Sequence, residues 1–193
     1  MATRALEVQE YKQVIELLQG GFTHDGGKFR PNRQVAFALQ LQANLGLRIG
    51  DVLGLRVSNF RNGKLEQKEE KTGKLQYRDI NPVVYASVLE FARAENLSPT
   101  AQLFTITVRA VQKQLAIATG YMGLENIGTH SFRKMYATHV YQQSNGDLHL
   151  LKELLNHSSI ATTQRYIRTT QEAINKASAS VNFMGDNDGE GNI

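Results

Sequence analysis

Apolar residues return every three or four positions along most of the chain, and between Arg56 and Asn81 this pattern changes. Such spacing puts the apolar side chains on one face of each helix. The chain must therefore pack several amphipathic helices around a shared core, with room for one small sheet. Leu6, Tyr11, Val14, Ile15, Leu17 and Leu18 define a first helix that stops at Gly20-Gly21. The stretch from there to Pro31 is polar and glycine-containing and reads as a loop. Further helices are expected over 32–45, ended by Gly46, and over 49–55, 83–94, 107–119, 131–143, 147–156 and 160–183. Between Arg56 and Asn81, Asn62-Gly63 is a hairpin signal and Lys71-Thr72-Gly73-Lys74 a second turn, which gives about three antiparallel strands. The fold class expected is mainly α with a small antiparallel β-sheet (α+β).

At 193 residues the length suits one domain. The absence of cysteine excludes a disulfide-stapled fold, thiolate metal sites and a cysteine nucleophile. No apolar run approaches the roughly 18 residues needed to span a bilayer, and the N-terminal MATRALEVQEYKQ lacks the apolar stretch of a signal peptide. A cytoplasmic location with no membrane partner is the expectation. The net charge is +4, but the last ten residues hold three acids and no base, so the rest carries +7. That balance suits a polyanionic partner but does not by itself indicate one, since many basic proteins bind no nucleic acid, and the acidic tail, 184–193, is expected to be disordered.

Several polar groups stand out. Arg48 lies between apolar helical segments with Asp51 three residues on. Either the two form a plain salt bridge, or the aspartate orients a guanidinium that grips an oxyanion. His130 and Arg133, three apart at a helix start, would offer a proton-transfer group and a cation to one anion, or else form an ordinary solvated first turn. His157 and Tyr166 lie nine apart, and Lys71 sits in a turn; each alone has an ordinary structural explanation. His130, His139, His149 and His157 match no metal-ligand spacing, so no metal is expected.

Taken together the set carries more. The segments GLRIGDVLGL (46–55), EKTGKLQYRDINP (70–82), THSFRKMYATHVYQ (129–142) and LLNHSSIATTQRYI (154–167) resemble, in order and spacing, the catalytic domain of the tyrosine recombinases, also called phage-type integrases. The resemblance spans roughly residues 3 to 183. It implies that Arg48 and Arg133 are the two family arginines, with Asp51 supporting the first. Lys71 matches the lysine of the turn between strands, His130 the histidine of the His-x-x-Arg box, His157 the histidine before the nucleophile, and Tyr166 the nucleophile. Asn156 stands where the family usually has glycine, and asparagine is the best substitute at positive φ.

The chemistry explains the set. A phosphodiester repels nucleophiles, so two arginines would neutralise it and stabilise the pentacoordinate transition state. A tyrosine hydroxyl, with an ordinary pKa of about 10, needs help to lose its proton. His130 is expected to take it, His157 to hydrogen-bond a phosphate oxygen, and Lys71 to protonate the leaving 5′-hydroxyl, help worth about 10²–10⁴-fold. Neither metal nor cofactor is required, because a 3′-phosphotyrosyl link retains the bond energy.

The implied function is site-specific recombination on double-stranded DNA, the integration, excision or inversion of a DNA element. The implied assembly is a homo-tetramer coupled through the C-terminal helix bearing Ile174, Ala177 and Val181, with accessory DNA-bending proteins as possible partners. Residues 1–183 would form the catalytic domain, without a preceding DNA-binding domain or as a fragment of a longer protein. A non-catalytic DNA-binding protein and a type IB topoisomerase remain the alternatives.

Overall fold

The computed structural model describes residues 3–24, 26–68, 73, 75–164, 166, 175 and 178–180. Lys71, the stripe residues Ile174, Ala177 and Val181, and the acidic tail lie outside the described residues.

Helix α1 (Val8–Gly20) buries Val14, Ile15 and Leu18. Its start is fixed by the Glu10 carboxylate, which accepts the Glu7 backbone N–H at 2.9 Å and pairs with Arg4 at 2.6 Å. The Arg4 guanidinium holds the Glu10 carboxyl below its usual range.

The expected loop after Gly20 contains a hairpin instead. β1 (Phe22–His24) pairs antiparallel with β2 (Gly27–Phe29). Phe22 and Phe29 face each other across it and stack with centroids 4.7 Å apart, and Tyr121 stacks on Phe22 at 4.6 Å. A cross-strand aromatic pair anchored on a helix outweighs the polar, glycine-containing composition between its members.

Helix α2 (Arg33–Leu45) is capped by Asn32, whose side chain accepts from Val35 N at 3.0 Å. It buries Val35, Ala36, Ala38, Leu39, Leu41, Gln42 and Leu45, and it packs against α1 and two later helices. A helix apolar on so wide an arc is the centre of the core. Helix α3 (Ile49–Leu53) ends two residues before the expected Leu55: Leu55 N turns to the Val52 carbonyl at 3.1 Å, and the Leu55 carbonyl accepts from Leu103 N at 2.9 Å.

The three-stranded sheet follows as anticipated, β3 (Phe60–Arg61), β4 (Lys64–Lys68) and β5 (Leu75–Asp79), antiparallel in chain order. Asn62 and Gly63 both take positive φ, 51° and 74°, as a two-residue hairpin turn requires. Gln67 of β4 donates its side-chain amide to the Asp51 carbonyl at 2.7 Å, so the sheet is tied to α3.

A 3-10 turn (Val57–Asn59) leads into β3, and helices α4 (Pro82–Ala94), α5 (Val108–Tyr121), α6 (Thr129–Gln143), α7 (Leu148–Leu154) and α8 (Ile160–Gln164) complete the described elements. α6 starts at Thr129 rather than Ser131, because Ser131 reaches back and its Oγ accepts from Gly128 N at 3.1 Å. One large core draws on α1 to α5, α6 and the sheet. A satellite of Ala137, Leu151 and Leu155, with Tyr136, Val140, Tyr141 and Tyr166, lies between α6 and α7. Among the described residues no helix is long and apolar enough to cross a membrane.

Candidate active site

The site grows from two places where a helix ends and the chain turns sharply. At the first, Gly46 closes α2 at φ +63°, and a Cβ there would lie 2.3 Å from the Tyr136 ring. Only glycine meets both demands. The buried Gln42 side chain donates to the Leu47 carbonyl at 3.3 Å and steadies the connection. Arg48 follows at the N-cap of α3, its Nη1 3.8 Å from Asp51 Oδ2. The aspartate side chain is 3% exposed and that of Arg48 24%. The carboxylate therefore balances the guanidinium from inside while Arg48 keeps an edge at the surface.

At the second, α7 ends in a left-handed turn. Asn156 N donates to the Glu153 carbonyl and His157 N to the Lys152 carbonyl, both at 3.0 Å, and Asn156 sits at φ +53°. This is the paired bonding of a Schellman motif, and it aims His157 back at the helix bundle. Asparagine takes the conformation for which glycine is usually chosen. Asn156→Gly should therefore change stability by less than about 1 kcal/mol, whereas Asn156→Val should cost about 1–2 kcal/mol. Thermal melts of the two variants check this, and equal losses would mean that the turn's geometry is not what matters.

Arg133 joins the two ends. It is fully buried, one turn along α6 from the exposed His130. Its Nη1 donates to the Gly46 carbonyl at 2.6 Å and its Nη2 to the Leu155 carbonyl at 2.7 Å. Carbonyls at helix C-termini carry partial negative charge and lack intrahelical partners, so a buried cation between two such ends is well placed. Nη2 also lies 3.2 Å from His157 Nε2. A guanidinium has no acceptor, so Nε2 must accept; the neutral ring then carries its proton on Nδ1, which donates to Thr163 Oγ1 at 3.0 Å.

Tyr166 completes the cluster. Its backbone N donates to the Thr163 carbonyl at 2.9 Å, its ring centroid lies 5.0 Å from that of His157, and Lys134 Nζ stands 5.9 Å from the ring. Arg133, His157 and Tyr166 thus come together in direct succession within one chain. Arg48 and Asp51 emerge beside Gly46, and His130 opens the helix that carries Arg133.

Three participants escaped the sequence reading. Thr163 orients His157, Lys134 approaches Tyr166, and Arg78 bonds two further carbonyls, those of Leu45 and Leu154, the latter at 3.1 Å. For Arg78 the strand register decides. Its strand partner across the sheet is the buried Leu65, which puts an arginine on the inward side of β5 while Leu75 and Tyr77 face outward.

Comparison with known proteins identifies the family. Residues 5–173 match the model of the phage integrase family. The chain is 36% identical over 145 residues to the tyrosine recombinase XerC of Methylobacterium sp. (strain 4-46), a match covering 69% of this chain and 45% of that protein. It is 29% identical over 184 residues to the probable integrase/recombinase YoeC of Bacillus subtilis (strain 168), covering 90% and 92%. Among solved structures, the XerH site-specific recombinase in a post-cleavage complex with its palindromic difH substrate superposes with a TM-score of 0.71 at 21% identity, over 91% of this chain and 52% of that one. The chain thus spans about half the length of the XerC and XerH proteins and nearly all of YoeC. The chain belongs to the phage integrase family, the tyrosine recombinases.

Proposed function

We propose that this chain cleaves and rejoins double-stranded DNA in site-specific recombination, with Tyr166 as nucleophile. The observation that carries the reading is the succession Tyr166–His157–Arg133 in one chain: a phenol beside a histidine whose ring is bonded to a buried guanidinium. The Tyr166 oxygen attacks the scissile phosphorus and its proton passes to His130. The bond from phosphorus to the 5′-oxygen breaks, and the departing oxygen takes a proton from Lys71. The product is a 3′-phosphotyrosyl link and a free 5′-hydroxyl, and attack by the 5′-hydroxyl of another strand reverses the step and exchanges strands.

Arg48, partly exposed and backed by Asp51, is the guanidinium able to reach a phosphate from the surface. Arg133 acts from below as a charge in a poorly solvated setting, where its field falls off less than in water. Donation from His157 to a phosphate oxygen requires Nε2 to gain a proton and exchange Arg133 for the phosphate. The net positive body suits a DNA backbone. A tetramer on DNA, coupled through the C-terminal segment, belongs to the same reading.

The experiment uses a duplex selected for binding from random-sequence DNA, nicked near the bound position so that the cleaved end diffuses away. A detergent-stable protein–DNA adduct is expected, together with recombinant product when two intact sites are supplied. Binding without adduct would leave a non-catalytic DNA-binding protein. Relaxation of supercoils without recombinants would favour topoisomerase action.

A further inference from the structure

We propose that Arg78 is a positioning residue for strand cleavage: its guanidinium bolts the end of α2 to the end of α7 and thereby sets Arg48 against His157. The proposal rests on the cleavage reading above.

Arg78 and Arg133 do the same thing one residue apart. Arg78 donates through Nη2 to the Leu45 carbonyl and through Nη1 to the Leu154 carbonyl at 3.1 Å. Arg133 donates to Gly46 and Leu155, at 2.6 and 2.7 Å. Residue 45 is thus joined to 154, and 46 to 155, by two forks that reach the same gap from different elements, β5 and α6. Tyr136 lies beside this join, its ring 5.8 Å from the Arg78 guanidinium and against Gly46.

A single fork joining two helix ends leaves them able to pivot about it; a second fork from another direction fixes the angle. The angle matters because the functional groups follow at once. Arg48 is three residues beyond Leu45, and His157 three beyond Leu154. So short a lead cannot absorb a change at the clamp. The planar guanidinium is what spans two carbonyls at once; an ammonium in its place is a point charge on a flexible stem. Fastening the sheet does not explain Arg78, since Gln67 already ties β4 to the Asp51 carbonyl.

The test compares the full chain with Arg78→Lys and Arg78→Met for melting temperature, affinity for the selected duplex, and single-turnover adduct formation. Each rate is measured on an ordinary scissile phosphate and on a methylphosphonate, which lacks one charged oxygen and needs less cationic help. Binding should stay within about threefold. Adduct formation on phosphate should fall about tenfold for Arg78→Lys and about 100-fold for Arg78→Met, the size expected of a misplacement near 1 Å. On methylphosphonate the deficit should shrink to a few-fold.

Unchanged rates on phosphate, equal deficits on both substrates, or failure of both variants to fold would each overturn the positioning role. A wild-type chain that binds the duplex but forms no adduct would overturn the cleavage reading and this proposal with it. Because the wild type is run in parallel, the two failures are told apart.

Discussion

Tyr166→Phe should yield no detectable adduct on the nicked duplex, a loss on the order of 10⁴-fold or more, as for other nucleophiles whose reacting atom is removed. Affinity for the same duplex, read by gel shift, should stay within about twofold. The two effects separate because of where the ring sits. Tyr166 packs against Ala137, Leu151 and Leu155 and lies 5.0 Å from the His157 ring. Phenylalanine retains that packing, so the melting temperature should move little, the deleted hydroxyl contributing at most about 1 kcal/mol. Residual adduct in the variant would assign the covalent link to another residue. A large loss of binding would mean that the ring organises the DNA surface instead of supplying the attacking oxygen.

The largest effect on the fold itself should come from Gly46→Ala. The methyl group must sit at φ +63°, which costs about 1 kcal/mol, and 2.3 Å from a Tyr136 ring carbon, which overpacking data put at a further 1–3 kcal/mol. A total near 3 kcal/mol corresponds to a fall in Tm on the order of 10 °C for a chain of this size. The ring can yield only by moving away from Gly46, and Arg78 lies over it. Activity should therefore fall more than stability alone explains. Adding Tyr136→Ala should restore part of the Tm, because the double variant keeps the backbone strain and loses the clash. Simple additivity in calorimetry would show that the ring is not what Gly46 makes room for.

Much of this architecture was legible from periodicity. The central helix ending at Gly46, the two-residue turn at Asn62-Gly63 and the start of α7 after Asp147 all rest on local rules: an αL residue, a mirror-image turn, a capping side chain. The hairpin at Phe22–Phe29 was not legible, because its stability comes from Tyr121, far along the chain. The candidate site divides the same way. The motifs brought Arg133 and His157 to one phosphate, but the other partners of Arg133 were invisible because they are backbone carbonyls. Arg78 went unnoticed because an arginine in a charged hairpin looks solvated until the Leu65 register turns it inward.

Sockets built from the main chain have a consequence for how such a protein tolerates sequence drift. Leu45, Leu154 and Leu155 offer oxygens that any amino acid would supply, so exchanging one aliphatic side chain for another there leaves both arginines seated. A one-residue insertion or deletion near either helix terminus is a different kind of change. It rotates every following carbonyl by about 100°, swinging the acceptors away from forks that cannot follow. Indels in this region, far more than point substitutions, are what the molecule cannot survive.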